Sequence, residues 1–228
     1  MTTDGNNNKK TLFFDLDGTL VHSAPDLQAT ANWLLAQEGR GSITIEQTIQ
    51  FTGEGVPTLV KRAFQATGDE PDAKELAALT KRFVERYLPR SAELSELYPN
   101  VRQTLEQLSA AGYDLAICTN KPEGPALNLM KAMNLTKFFP VLIGGDTIPG
   151  AHKPDPQCLL VGIERMGTDP ANAVMVGDSE VDAKMAQAAG VPVILMSYGY
   201  TKTPLEELNA DAIIDDFNQL AGALDALG

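Results

Sequence analysis

The chain has 228 residues, of which 43% are hydrophobic. This length can bury one sizeable domain, or a core with a smaller lobe beside it. The 30 acidic and 18 basic residues give a formal net charge of −12, which repels phosphate backbones and anionic lipid surfaces and so disfavours nucleic-acid and membrane roles. Two cysteines are too few for a disulfide scaffold.

The N-terminal stretch, Met1 to Lys10, is polar and rich in asparagine. It lacks the apolar core of a secretory signal, and we predict a disordered tail over residues 1–10. No segment further along approaches the roughly 18 apolar residues of a membrane span. We therefore expect a cytoplasmic protein whose cysteines are reduced.

The first predicted strand is the apolar run Thr11 to Phe14, and two carboxylates follow it directly. Asp15 and Asp17 repel each other, so their burial is costly unless they are protonated, hydrogen-bonded or bound to a metal. Gly18 provides the backbone freedom that ends the strand. Because open parallel sheets bind ligands at the carboxyl ends of their strands, this pair is a candidate site. The Asp-x-Asp pattern alone is also compatible with a solvated turn or a calcium-loop fragment.

A stretch without strands follows, in which periodicity predicts four amphipathic helices, at Pro25–Gln37, Thr44–Phe51, Pro57–Ala66 and Asp72–Leu88. We interpret residues 22–97 as an inserted helical cap domain, connected near Val21–Ser23 and Glu96–Pro99. Two short hinges on one side of a sheet would let such a lobe close over the ligand crevice. The alternative is that these helices merely enlarge the core.

Apolar runs alternate with helix-length stretches in the rest of the chain. The predicted strands are Asp114–Cys118, Val141–Ile143, Ala173–Val176 and Val193–Met196. The predicted helices Val101–Ala111 and Ser179–Ala189 end at Gly112 and Gly190. This alternation indicates a parallel sheet covered on both faces. The predicted fold class is therefore α/β, with a doubly wound, Rossmann-like parallel-sheet core over residues 1–21 and 98–228 and an inserted helical cap.

Polar side chains recur where the predicted strands end. Thr119 and Asn120 follow one strand and precede Lys121-Pro122, where proline favours a helix start. Their hydroxyl and backbone N–H groups would then face an anion above the sheet. Lys153 lies in a proline-rich loop that restricts its stem and could aim its ammonium group at Asp15. A solvated surface position is the alternative for a lone lysine.

Asp178 follows another predicted strand and begins a helix. An acidic chain that binds an anion needs local cations, and a divalent metal is the simplest source. Mg²⁺ prefers about six oxygen ligands, and Asp15, the main-chain carbonyl of Asp17, and Asp178 fit that preference. Asp182, one helical turn further on, is expected to orient the metal site through water or Ser179. A helix N-cap is an alternative role for the same segment.

Four segments together resemble the signatures of the haloacid dehalogenase superfamily. They are Asp15-Leu16-Asp17-Gly18-Thr19-Leu20, Ile117-Cys118-Thr119-Asn120, Lys153-Pro154-Asp155-Pro156 and Gly177-Asp178-Ser179-Glu180-Val181-Asp182. In phosphatases of this superfamily the first aspartate is the nucleophile and the second is the acid/base. The resemblance therefore implies that Asp15 forms an aspartyl-phosphate and that Asp17 exchanges protons with the leaving group and water. It also implies a four-helix cap.

Within the superfamily, three further segments look most like the phosphoglycolate phosphatase branch: Leu20 to Leu27, Thr119 to Pro122 and Gly190 to Val193. His22 departs from that branch, which usually carries an aspartate there. The resemblance implies Mg²⁺-dependent hydrolysis of a small phosphorylated metabolite, 2-phosphoglycolate being the first candidate. Other sugar-phosphate phosphatases and phosphosugar mutases share the signatures, and a scaffold that only binds a partner is a further alternative. The sequence leaves monomer and homodimer open.

The predicted site thus has a core part and a cap part. Its predicted catalytic residues are Asp15, Asp17, Thr119 and Lys153. Phosphate and substrate binding is predicted for Gly18, Thr119, Asn120 and Lys153, and for Glu54, Gly55 and Arg62 of the cap. The turn Gly53 to Val56 could reach the crevice, although a plain interhelical loop fits equally well. Lys61 and Arg62 are the candidate contacts for a substrate carboxylate.

Overall fold

The computed structural model describes residues 10–228. The predicted N-terminal tail, apart from Lys10, lies outside the described residues. Within the described part, no helix is long and apolar enough to cross a membrane.

The first half of the chain contains one strand of the main sheet, followed by four helices that lie between two short strands. Strand β1 (Thr11–Phe14) and the short β2 (Val21–His22) precede helices α1 (Ala24–Gln37), α2 (Ile45–Phe51), α3 (Val56–Thr67) and α4 (Ala73–Tyr87), after which the chain returns through β3 (Glu96–Leu97). Four helices were predicted here, and their observed ends differ by about one residue from the sequence pattern.

The second half alternates between helices and strands. Its elements are α5 (Val101–Ala111), β4 (Asp114–Cys118), α6 (Glu123–Ala132), β5 (Val141–Ile143), α7 (Gln157–Met166), β6 (Ala173–Gly177), α8 (Glu180–Ala189), β7 (Val193–Met196), β8 (Ala212–Ile214) and α9 (Leu220–Ala226). Helices α5 and α8 end at Gly112 (φ 87°) and Gly190 (φ 69°), where a left-handed backbone lets the chain turn back toward the sheet.

Six strands form one sheet in the order β5-β4-β1-β6-β7-β8, and every pair in it is parallel. Successive side chains of β1 point to opposite faces: Leu12 and Phe14 belong to one buried cluster and Phe13 to the other. The predicted doubly wound α/β core is therefore confirmed. Strand β8 was not predicted, because its residues are only partly buried and give a weak apolar signal.

Helices α1 to α4 have an apolar core of their own. Leu34, Phe64 and Phe83 are almost fully buried in it, apart from the two clusters that cover the sheet. The antiparallel pair β2–β3 joins the two connections, with Val21 opposite Leu97. We refer to residues 22–97 as the helical insertion.

Candidate active site

Three strand ends meet at one edge of the sheet. Asp15 follows β1, Thr119 follows β4 and Asp178 follows β6. Because β1 lies between β4 and β6 in the sheet, parallel pairing brings these three side chains to the same edge. The sheet holds the backbone there, since the Asp15 N–H donates to the carbonyl of Val176 at 2.9 Å.

Lys153 lies between two buried carboxylates. Its Nζ is 2.9 Å from Asp15 Oδ2 and 2.7 Å from Asp182 Oδ1, and its side chain is only 1% exposed. Burial alone would lower the pKa of Lys153, but Asp15 and Asp182 outweigh it and raise that pKa. The ammonium group therefore stays charged, beside the atom of Asp15 that the sequence predicts to attack phosphorus.

Asp178 is held by neutral donors instead of a cation. Thr19 Oγ1 donates to its Oδ1 at 2.8 Å, and the Tyr200 N–H donates to its Oδ2 at 2.6 Å. A Cβ added at Gly18 or at Gly199 would lie 2.5 Å or 2.1 Å from Asp178, so glycine makes room for this carboxylate. The N–H of Gly18 donates to the carbonyl of Val21 at 2.9 Å, and the predicted role of Gly18 in phosphate binding stays a prediction.

The buried carboxylates outnumber the cations beside them. Asp15, Asp178 and Asp182 each place an oxygen within 4.8 Å of the others, and Lys153 is the cation that contacts two of them. Burial, with the neighbouring carboxylates Asp182 and Asp15, raises the pKa of Asp178 well above its usual range. A cluster of hard oxygens with excess negative charge fits Mg²⁺.

Asp182 differs from the other two carboxylates because its oxygens accept four hydrogen bonds, whereas Asp15 and Asp178 each have one partner on each oxygen. Oδ1 accepts from Lys153, and Oδ2 accepts from Ser179 Oγ at 2.8 Å and from the backbone N–H groups of Asp178 and Ser179. Asp15 and Asp178 therefore have the more available oxygens for a metal, while Asp182 and Ser179 fix the loop that carries Asp178.

The carboxylate cluster predicts how the stability of the metal-free protein depends on pH. Burial raises the pKa of Asp15 from 3.8 to about 6 despite the opposing effect of Lys153, and the pKa of Asp178 is raised too. Since the folded state binds these protons more tightly than the unfolded chain, their stabilisation is full below the unfolded pKa and is lost as pH rises through the folded pKa.

We therefore expect the Tm measured in EDTA to fall between about pH 5 and about pH 7.5. The variant Asp178→Asn removes one of the titrating groups and should show a smaller fall, as should the wild type in Mg²⁺. A Tm in EDTA that stays level, or rises, over this interval would contradict the expectation.

Asp17 is paired with a lysine that the sequence reasoning had not assigned to the site. Lys121 Nζ lies 3.0 Å and 2.9 Å from the two oxygens of Asp17 and donates to the hydroxyl of Tyr87 at 2.7 Å. The Lys121 side chain is 3% exposed. The position of Lys121 directly after Thr119-Asn120 could have indicated that it belongs to the site. Nothing in the sequence around Tyr87, at the end of α4, gave such an indication.

Thr119 and Asn120 use their side chains differently. Thr119 Oγ1 accepts the Lys121 N–H at 3.2 Å. Asn120 accepts the Lys153 N–H at 2.8 Å and donates to the carbonyls of Gly53 and Lys153 at 2.9 Å and 3.1 Å. Its side chain thus positions the Lys153 loop and links it to the helical insertion.

The predicted cap residues are distributed unevenly around the site. Glu54 Oε1 contacts Arg62 at 2.9 Å and Lys202, which lies beyond β7, at 2.8 Å. Burial opposes ionisation of Glu54, but hydrogen bonds from these two cations outweigh it and lower its pKa. Lys61 pairs with Glu70 at 2.7 Å and is 43% exposed. Lys61 and Arg62 thus each contact a glutamate of the helical insertion, and their role as contacts for a substrate carboxylate stays a prediction.

A cavity opens between the sheet edge and the helical insertion. Its lining includes Asp15, Asp17 and Thr119 from the core and Gly55 and Tyr87 from the insertion. A second, adjoining cavity is lined by Glu54, Asp178, Ser179 and Lys202, among others. Arg62 lines neither of these cavities. Glu54 and Gly55 thus line these cavities, and their predicted roles in substrate binding stay predictions.

His22, the residue that departs from the phosphoglycolate phosphatase pattern, lies in β2 at the start of the helical insertion. Its Nδ1 is 2.9 Å from the hydroxyl of Tyr200, which also accepts the Ala24 N–H at 3.0 Å. Burial lowers the pKa of His22, and Glu96 opposes this effect. His22 therefore contacts the loop that binds Asp178, and it lines neither cavity described above.

Comparison with known proteins identifies the family. The family model described as haloacid dehalogenase-like hydrolase matches residues 12–196. A phosphoglycolate phosphatase of Caulobacter vibrioides is 42% identical over 217 residues, which cover 95% of this chain and 91% of that protein. One of Rhodospirillum rubrum is 41% identical over 215 residues, covering 92% and 89%.

A solved structure is also similar to this chain in fold and in sequence. The crystal structure of a predicted phosphoglycolate phosphatase from Haemophilus somnus superposes with a TM-score of 0.89 at 32% identity, covering 96% of this chain and 100% of that one. The chain therefore belongs to the haloacid dehalogenase-like hydrolase family. Within that family it is a phosphatase, as its curated relatives at about 40% identity are.

Proposed function

We propose that the protein is a Mg²⁺-dependent phosphomonoester hydrolase that converts 2-phosphoglycolate to glycolate and phosphate through an aspartyl-phosphate on Asp15. The observation that carries this proposal is the convergence of Asp15, Asp17, Thr119, Lys153 and Asp178 at one sheet edge. The names of the relatives, phosphoglycolate phosphatase, support the choice of substrate.

The first step forms a covalent bond between the enzyme and the phosphoryl group. A carboxylate oxygen of Asp15 attacks phosphorus as the bond from phosphorus to the ester oxygen breaks. Asp17 gives its proton to that ester oxygen, which leaves as the hydroxyl of glycolate. Lys153, 2.9 Å from Asp15, is placed to neutralise charge that develops on the phosphoryl oxygens.

The second step returns the enzyme to its starting state. Asp17 accepts a proton from a water molecule, whose oxygen attacks phosphorus and displaces Asp15 as a carboxylate. Inorganic phosphate then leaves. The hydroxyl of Thr119 donates to a phosphoryl oxygen, while Asn120 holds Lys153 in place through the two hydrogen bonds between them.

The metal fits the residues that are present. Asp15 and Asp178 would hold it through carboxylate oxygens and Asp17 through its main-chain carbonyl. Mg²⁺ supplies electrostatic stabilisation of the phosphoryl oxygens when it is bound. Asp182 and Ser179 orient the segment that carries Asp178.

We also propose that the helical insertion, residues 22–97, acts as a cap domain that closes over the site. Its apolar core is separate from the clusters around the sheet, and its two connections pair as β2 and β3. Glu54 contacts Lys202 of the core, and the Gly53 carbonyl accepts from Asn120. These contacts are hydrogen bonds and ion pairs, which can break and form again as the cap moves.

The proposal is tested by measuring phosphate release from a panel of phosphorylated metabolites, with Mg²⁺ and with EDTA. We expect 2-phosphoglycolate to have the highest kcat/KM, phosphate and glycolate to be the products, and EDTA to abolish turnover. Recovery of an isomeric sugar phosphate from a sugar-phosphate substrate would identify a mutase instead. Turnover that is unchanged in EDTA would contradict the metal dependence.

Replacement of Asp178 tests the metal site separately. Loss of a residue that only supports a metal ligand typically weakens metal binding by 10- to 100-fold, so Asp178→Ala should raise the half-saturating Mg²⁺ concentration by at least about tenfold. The matched control is Asp225→Ala, since Asp225 is an exposed aspartate on α9. An unchanged Mg²⁺ titration in Asp178→Ala would remove Asp178 from the site.

A further inference from the structure

The cavity above the sheet edge has polar residues at the edge itself, a polar corner formed by Lys121 and Tyr87, and a largely apolar wall opposite them. The helical insertion contributes the apolar side chains Leu27, Val56, Leu59 and Val84, and Pro122 and Pro125 add to them from the core. Among the described residues that line this cavity, Lys121 is the one with a positive charge. Apart from the cations at the phosphate position, Lys153 and a bound metal, this cavity therefore offers a substrate anion one positive charge.

Tyr87 completes this corner from the helical insertion. Its hydroxyl accepts from Lys121 Nζ at 2.7 Å, and within the described residues its own proton has no acceptor. Burial raises the pKa of Tyr87 to about 12, although Lys121 opposes the rise, so the hydroxyl keeps that proton at neutral pH. A tyrosine hydroxyl can donate and accept at once, which leaves one donor for a ligand in the cavity.

The proposed chemistry fixes where the leaving group lies. The ester oxygen must come within hydrogen-bond distance of Asp17 for proton transfer, and Lys121 Nζ is 2.9 Å from Asp17. The first atoms beyond the ester oxygen therefore lie close to Lys121 and Tyr87.

We propose that Lys121 and Tyr87 together bind a carboxylate of the leaving group and so select phosphate monoesters in which that carboxylate lies one carbon from the ester oxygen. This inference rests on the proposed function and names its specificity residues. Sugar phosphates would bury several hydroxyl groups against the apolar wall without hydrogen-bond partners, which is costly. The corner takes the role that the sequence had suggested for Lys61 or Arg62.

The test compares two substrates of similar size on wild type and Tyr87→Phe. Phosphoglycolate carries the carboxylate, and ethyl phosphate has a methyl group in its place. A hydrogen bond to a charged group accounts for a factor of about 10 to 100 in kcat/KM. We expect Tyr87→Phe to lower the phosphoglycolate-to-ethyl phosphate ratio of kcat/KM by that factor, whatever loss of kcat/KM the two substrates share.

Two further variants make the result specific. Lys121→Met should lower the same ratio of kcat/KM by at least as large a factor as Tyr87→Phe. Because Lys121 also bonds Asp17, this variant can lower kcat/KM for both substrates, and the ratio removes that shared loss. Tyr113→Phe is the matched control, because Tyr113 packs against the sheet core and does not line the cavity, and its ratio should equal that of wild type. Thermal melts followed by circular dichroism check that each variant is folded.

The outcomes separate this inference from the proposed function. A wild type that hydrolyses phosphoglycolate no better than ethyl phosphate contradicts the proposed substrate. A wild type that prefers phosphoglycolate, with the preference unchanged in Tyr87→Phe and Lys121→Met, overturns the assignment of the corner and leaves the proposed function standing. A ratio that falls in both variants and not in Tyr113→Phe supports the corner.

Discussion

Replacing Asp15 by asparagine is expected to lower kcat by at least about 10⁴-fold, because loss of a nucleophile removes the covalent pathway and leaves only binding and electrostatic effects. The fold should persist. The amide keeps the shape of the side chain, and Lys153 retains Asp182 as a partner at 2.7 Å. The measurement is single-turnover phosphate release together with a circular dichroism melt.

A direct readout accompanies this prediction. When the wild type is quenched in acid during turnover, mass spectrometry should find phosphate on the peptide that contains Asp15, and Asp15→Asn should show none. The matched control is Asp169→Asn, which makes the same chemical change at an exposed aspartate without a side-chain capping hydrogen bond. Near-normal turnover in Asp15→Asn, or a phosphopeptide elsewhere in the chain, would disprove the assigned nucleophile.

Replacing Lys153 by methionine is expected to have the largest effect on stability. It leaves Asp15 and Asp182 as buried carboxylates without their cation, and breaking a buried ion pair in this way costs about 3–5 kcal/mol. The free energy of unfolding, measured with urea in EDTA, should fall by about that amount. Activity should be lost as well, since no ammonium group would face the phosphoryl oxygens.

The comparison for Lys153 is a surface lysine with the same charge. Lys137 lies 3.5 Å from Glu106 and is 61% exposed, and exposed pairs contribute about 0–1 kcal/mol, so Lys137→Met should change stability little. Added Mg²⁺ should stabilise Lys153→Met more than wild type, because more negative charge is left uncompensated. If both lysine variants lose the same stability, the central position assigned to Lys153 is wrong.

Much of the core could be predicted because its signals are local in the sequence. An apolar run as short as Thr11–Phe14 favours a strand covered by two layers over a helix, and Gly112 and Gly190 mark where helices end. The short strands β2, β3 and β8 were missed, since two or three residues give no periodicity. Their pairing depends on where distant segments come to lie.

The residue types of the site were also readable, because a carboxylate directly after a buried strand is costly without a partner. Asp15, Thr119 and Asp178 each follow such a strand, and parallel strands deliver their ends to the same edge. Sequence alone therefore determined which residues meet at the sheet edge. It did not determine which neighbours their side chains take.

Only the tertiary structure decided those partnerships. Lys121 bonds Asp17 and Tyr87, which are 104 and 34 positions away in the chain, and the oxygens of Asp182 accept from Lys153 and from Ser179. A side chain has several possible partners of suitable chemistry, and the one it binds is set by distances and directions that arise when the helical insertion and the core pack together. The sequence thus determined the fold and the sheet edge where the carboxylates meet, while packing decided which cation lies beside Asp17.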